Sequence, residues 1–288
     1  MPRHAPVSML AMGLVLGLAS PPAASRADDL KPKAPETAFS GKLHPDILGI
    51  STESTAESAR AVFDSLFKGR TDTKTDVQQQ KFGGANYVAA LNFSLPAGSK
   101  QNGEMLSTSF SSPASANRAY FVARNLTFAQ DQQPSKADMI KEVMGKYGVP
   151  TIVGDQHLYY IYRKGSIMSV GGKYKEATAL DAIDKPLDPR AAVKLNGDTV
   201  RGSCVAVVKR AQTKVKEPSA MLAEAKGANC DGVLSVQLVP GTPADRVGIA
   251  QFTLLDVKQF VSAAAIDSAA LGAGPSEGPM PRGSAPKL

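Results

Sequence analysis

Apolar residues recur along this chain with two different periods, and the places where the period changes mark its elements. Ala59, Val62, Phe63, Leu66 and Phe67 stand at the three-to-four spacing of a helix stripe. Ser54 and Glu57, just ahead of them, have the spacing of a capping box, and Gly69 stands where such a helix stops. The period then drops to two. Tyr87, Ala89, Leu91, Phe93 and Leu95 alternate with polar residues, and Leu106 and Phe110 alternate with serines in "GEMLSTSFSS". Both stretches predict antiparallel strands with one wet face. "AYFVARNLTF" predicts a third strand. "PSKADMIKEVMGKYG" returns to the helical period, with Ile140, Val143, Met144 and Tyr147 on its stripe.

The second half repeats the theme. "HLYYIYRKGSIMSVGG" predicts a hairpin turning at Lys164-Gly165. "SCVAVVKR" predicts a strand, "PSAMLAEAKG" a short helix, "GVLSVQLV" and "VGIAQFTLL" a strand pair, and "DVKQFVSAAAIDSAA" a closing helix. The predicted order is α-β-β-β-α-β-β-β-α-β-β-α. Adjacent strands with few crossover helices predict an α+β fold, a mostly antiparallel sheet with helices packed on one face.

This pattern divides the chain into an N-terminal α+β unit over 43–172, a long connection over 173–201 with Pro186 and Pro189, and a C-terminal α+β part over 202–267. Residues 28–42 are polar with two prolines and predict a flexible lead-in. Residues 268–288 hold Gly, Pro, Ser or Ala at 15 of 21 positions, too little apolar surface to fold, and predict a disordered tail.

The start of the chain adds a location. Arg3 and His4 precede the apolar run "PVSMLAMGLVLGLA", and "SPPAASRA" follows. A basic start, a short apolar core and a small-residue exit are the parts of a secretory signal peptide, with cleavage expected after Ala27. The run falls short of the ~20 residues of a membrane-spanning helix, so no transmembrane segment is expected in the mature protein. The destination expected is the periplasm or the medium. The cleavage removes Arg3 and Arg26 and no acid, which takes the formal charge from +7 to +5. That balance, with no clustered basic stripe, argues against a nucleic-acid partner.

Cys204 and Cys230 are the only cysteines. A lone pair in an exported protein points to a disulfide rather than a metal site. Closing a loop of 26 positions is worth roughly 3–4 kcal/mol in chain entropy. Candidate chemistry is otherwise thin. After cleavage only His44 and His157 remain, with neither a G-x-S-x-G elbow nor H-E-x-x-H. Ser65-Leu66-Phe67-Lys68 and Ser115-Ala116-Asn117 match two of the three patterns of penicillin-binding acyltransferases, but Lys164-Gly165-Ser166 has the wrong order for the third. No cofactor, metal or catalytic set is therefore expected. Aromatic and basic residues concentrate once, at Tyr159, Tyr160, Tyr162, Arg163 and Lys164, which makes that strand the candidate partner-binding face.

Two short motifs carry a resemblance. "HPDILGISTESTAESARAVFDSLF" resembles the D-I-x-G-I start and amphipathic helix of small, uncharacterised exported proteobacterial proteins, and "MGKYGVPT" resembles their K-Y-G-x-P-[ST] helix end. A cysteine pair before a final strand also recurs among them. The resemblance implies a periplasmic α+β protein and assigns no activity. Separately, "VPGTPADRVGI" (239–249) resembles a segment of PDZ domains, although the chain after it does not continue as they do. The function expected is thus a non-enzymatic exported protein that binds another cell-envelope component. The alternatives are a hydrolase with an unrecognised site and a PDZ-like peptide-binding module.

Overall fold

Helix α1 (Ala56–Leu66) starts one residue later than the Ser54/Glu57 pair predicts, because the reciprocal capping bonds are made by Thr55 and Ser58. Strands β1 (Lys74–Phe82), β2 (Ala85–Leu95), β3 (Gly103–Phe110) and β4 (Ala119–Thr127) follow. Helix α2 (Lys136–Tyr147) is capped by Ser135, whose hydroxyl accepts from the Asp138 amide. Strands β5 (Ile152–Gly154), β6 (His157–Arg163) and β7 (Ser166–Ile167) come next, then a small hairpin of β8 (Ala192–Leu195) and β9 (Asp198–Arg201). Helices α3 (Ser203–Thr213) and α4 (Pro218–Lys226), the hairpin β10 (Gly232–Pro240) and β11 (Val247–Asp256), and helix α5 (Val257–Gly272) complete the chain. This computed structural model describes residues 31–39, 43–170, 179–188, 192–195, 198–201, 203–213 and 218–272. The expected signal peptide and most of the expected tail lie outside the described residues.

The fold is α+β. Nine strands form one antiparallel sheet in the order β1-β2-β3-β4-β11-β10-β6-β5, with β7 beside β6. Because β11 and β10 lie between β4 and β6, the strands of the two expected units belong to one sheet. The helices take both faces instead of one. Alternation on β6 shows why: Leu158, Tyr160 and Tyr162 face the core holding Ala59 and Phe63 of α1 and Val143 of α2. Tyr159 and Ile161 face the opposite core, with Val205, Val208 and Ala211 of α3, Met221 of α4 and Phe260 of α5. A strand buried on both faces reads as a continuous apolar run, as "HLYYIY" does.

Three further expectations change. "SCVAVVKR" is helical: Cys204, Val205, Val207, Val208 and Ala211 are buried at helical spacing once the stretch is followed to Thr213. The valine run favours a strand only locally, and packing on β10 and β11 overrides it. Strand β1 is invisible to periodicity because "KTDVQQQKF" is exposed until its last residue. Its hairpin partner is reached through Gly83 and Gly84, both at positive φ, the geometry of a tight two-residue turn. The connection over 173–201 contains the β8–β9 pair, and residues 268–272 extend α5 rather than starting a tail.

The lead-in is anchored where it is described. Ala38 and Phe39 are buried, and Phe39 meets Tyr162 edge-on at 4.9 Å. The anchor is Asp256, a buried carboxylate that caps α5 by accepting from the Gln259 amide at 2.7 Å. It also accepts from the Thr37 hydroxyl and, through both oxygens, from the Ala38 amide. Gln259 in turn donates to the carbonyls of Thr52 and Ala119.

The disulfide forms as expected: Cys204 of α3 is bonded to Cys230, just before β10, with Cα atoms 6.1 Å apart. The two resemblance motifs meet in space. "DILGI" is a tight turn with Leu48 and Gly49 at positive φ and Ile47 and Ile50 buried. Lys146 pairs with Asp46 at 2.9 Å, and the Tyr147 hydroxyl donates to the Asp46 carbonyl. Each motif thus holds the other in place.

Gly232 is required by the lead-in. A Cβ there would stand 2.7 Å from Phe39 Cζ and 3.0 Å from Ala38 Cβ. Gly232→Ala should destabilise the protein by about 1–3 kcal/mol, as overpacking does. Gly145→Ala, in α2 with open space around it, should instead stabilise by about 0.5–1 kcal/mol. Urea unfolding of the two variants checks the contrast; equal effects would refute the packing of Phe39 on β10.

Candidate functional site

The tyrosines expected to form a binding face are interior. Tyr159 and Tyr160 are each 0 % exposed and Tyr162 2 %, because both faces of β6 are covered by packed helices. The Tyr160 hydroxyl donates to the Gly148 carbonyl at 3.0 Å, at the end of α2. Arg163 is half-buried, and only Lys164 reaches the surface, at the tip of the β6–β7 turn. These five residues are core and turn, not a contact surface.

The hydrolase candidates fare no better. Ser65 lies exposed on α1. His157 is buried, stacked on Tyr159 at 5.0 Å. Its Nδ1 lies 2.5 Å from the Asp155 carbonyl; a carbonyl only accepts, so Nδ1 carries the proton and Nε2 is the bare lone pair. Burial pushes the imidazole down to about 4 although that hydrogen bond opposes it. His44 is exposed and stands 3.8 Å from Glu53. Among the described residues no three His, Cys, Asp or Glu side chains gather as a metal site.

"VPGTPADRVGI" is the β10–β11 turn. The Gly241 amide donates to Arg246, and the segment clamps the start of α2: Lys136 donates to the Asp245 carbonyl and Val247 to the Pro134 carbonyl. Thr242 donates to the Gln133 side chain at 2.9 Å. Its polar groups serve this internal contact.

The site that the fold does present lies elsewhere on the sheet. Helices α3–α5 pack over β6, β10, β11 and β4. On the same face the sheet continues through β3 and β2 to β1, where Ser107, Asn92 and Gln78 are half-buried or exposed beside Ala90 and Met105. A groove of about 670 Å³ opens there. Strand register explains its lining. One cross-strand row runs Asp76, Asn92, Ser107, Ala123, Thr253, and the row beside it runs Met105, Asn125, Gln251. Gln78, Ala90, Ser109 and Phe121 form a third row on the side toward α5. On the opposite face the same strands place Leu91, Phe93, Leu106 and Val122 in the core. The polar choice is therefore confined to one side.

Hydrogen bonds orient part of this lining. Ser107 donates to Asn92 Oδ1 at 2.8 Å, and the Asn92 and Gln78 amides both point at Asp76, at 3.3 and 3.2 Å. Asn125 Oδ1 is buried with no partner. Arg124, whose side chain lies on the opposite face toward α2, is paired with Glu104 at 2.6 Å. From Ser109 the groove continues into a smaller trough of about 200 Å³ against α5, beside Tyr87, Tyr120 and Phe260. Sequence reasoning noted the serines opposite Leu106 but not that Gln78, Asn92, Asn125 and Gln251 would join them. The available signal was the alternation itself, with amides and hydroxyls where wet sheet faces usually carry Lys and Glu.

No known protein family, curated protein or solved structure matches this chain. Within the described residues the disulfide is formed and no helix is long and apolar enough to cross a membrane.

Two buried groups set opposing pH responses. Burial raises the Asp256 carboxyl to about 6, against the pull of the Thr37, Gln259 and Ala38 donors. From about pH 4 to about 6 the folded state holds this proton and the unfolded state does not, so stability falls as pH rises. His157 acts the other way: from about pH 4 to 6.5 only the unfolded state is protonated, so stability rises with pH. Each slope amounts to roughly 3 kcal/mol. Relative to the native protein, Asp256→Asn should add a rise in stability between about pH 4 and 6, and His157→Gln should add a fall. Urea midpoints across that range measure both; parallel profiles for all three proteins would contradict the assignment.

Proposed function

We propose that this chain is an exported, non-enzymatic protein that binds a component of the bacterial cell envelope in the groove over β1–β4. The observation that carries the reading is the groove itself. It is a concave surface in the size range of ligand clefts, roughly 300–1,000 Å³, lined by amides and hydroxyls together with Ala90, Met105, Phe121 and Ala123. The lining provides recognition chemistry, and among the described residues no three His, Cys, Asp or Glu side chains gather as a metal site. Export is supported by the signal-peptide pattern of residues 1–27 and agrees with the Cys204–Cys230 disulfide.

Photo-crosslinking in the native envelope tests this reading. A photoreactive residue at Ser107, in the groove, should capture a discrete envelope component on irradiation. The same residue at Glu57, on the exposed side of α1, should not. Equal capture from both positions, or none from Ser107, would remove the groove as the binding site. Amino-terminal sequencing of the same exported protein should begin at Asp28; a retained Met1 would refute cleavage after Ala27.

A further inference from the structure

Building on that reading of the groove, we infer that its ligand is an uncharged, hydroxyl-rich saccharide. The first ground is the kind of group offered. Gln78, Asn92, Ser107, Asn125 and Gln251 are all neutral, and amides and hydroxyls each present both donors and acceptors. A sugar hydroxyl is also both, so an array of such groups satisfies it without a net charge on either side. The nearby charges are already engaged: Arg124 with Glu104 on the opposite face, and Asp76 with the Asn92 and Gln78 amides. In the adjoining trough Asp267 accepts from the Ser112 hydroxyl at 2.7 Å. An anionic ligand would find no free cation among these groups.

The second ground is where the groups stand. Except for Gln78 on the edge strand β1, they project from strands paired on both sides, whose backbone amides and carbonyls are spent on one another. An extended peptide that adds to a sheet bonds to backbone at an edge, and this face offers it none. Side chains on neighbouring strands repeat every ~4.8 Å across the sheet, a spacing that suits hydroxyls two positions apart on a sugar ring rather than neighbouring ones. The third ground is Asn125 Oδ1, a buried acceptor without a partner in the groove wall. An unmet buried acceptor is costly, and a ligand hydroxyl donating to it removes the cost. Tyr87, half-exposed in the adjoining trough with its hydroxyl on Gln80, offers a ring face beside the amides.

The test uses the mature exported protein and defined probes followed by amide chemical shifts: chitotetraose and maltotetraose as neutral saccharides, and an uncharged Ala-Gln-Ser-Ala peptide. At millimolar concentration at least one saccharide should shift the resonances of Asn92, Ser107 and Asn125 and not those of α1. Asn92→Ala or Asn125→Ala should weaken that binding about tenfold, with far-UV circular dichroism unchanged. Raising the salt should leave the affinity unaltered, because no charge pair is screened. No saccharide shift in the groove, or shifts that persist undiminished in both variants, would overturn the inference. Shifts from the peptide alone would also overturn it, while leaving the groove as a binding site. Loss of the Ser107 crosslink together with all shifts would end both readings.

Discussion

The carboxylate of Asp256 sits where four separate parts of the chain converge, and the placement of each depends on it. It closes the first turn of α5 through the Gln259 amide and fastens the lead-in through Thr37 and Ala38. Gln259, held in register by that cap, reaches the carbonyls of Thr52 before α1 and Ala119 at the start of β4. A buried charge is tolerated only with such dense hydrogen bonding. Burial nevertheless dominates, and the group is pushed up to about 6. The node therefore couples the two ends of the described fold to the middle of the sheet through one titratable group.

Around that node the sheet has two characters. Over β6, β10 and β11 both faces are buried, so the strands run apolar on both sides and even tyrosines are drawn inward. Over β1, β2 and β3 only the side toward α1 and α2 is packed. The other side is free to carry amides and hydroxyls, and it does so in cross-strand rows. The groove is a consequence of helices α3–α5 stopping short of the first strands. The stretch richest in aromatic and basic residues, by contrast, became the most interior strand, since aromatic area contributes most to stability when it is removed from water.

Short motifs in this chain turn out to serve packing. "DILGI" and "MGKYG" are joined by Lys146 and Tyr147 to Asp46, and the Gly148 carbonyl takes the Tyr160 hydroxyl. "VPGTPADRVGI" spans a hairpin end and holds the start of α2. In each case a glycine or proline pattern marks a turn that makes hydrogen bonds to another part of the molecule.

Local pattern alone was sufficient for most of the framework. Alternation located β2, β3, β4, β6, β10 and β11, helical spacing located α1, α2, α4 and α5, and the cysteine count named the disulfide. These features depend on neighbours within a few residues, or on a pair with no competitor. Three things required the tertiary structure. Strand β1 is exposed up to its last residue and is a strand because β2 pairs with it. Helix α3 is valine-rich and is a helix because its stripe fits the sheet and carries Cys204 to Cys230. The groove joins residues as distant as Gln78 and Gln251, and which polar side chains share one open face follows from strand order and helix coverage. The sequence by itself determined which segments would bury one side; only the assembled sheet decided which of their other sides stayed open, because that depends on what packs above them.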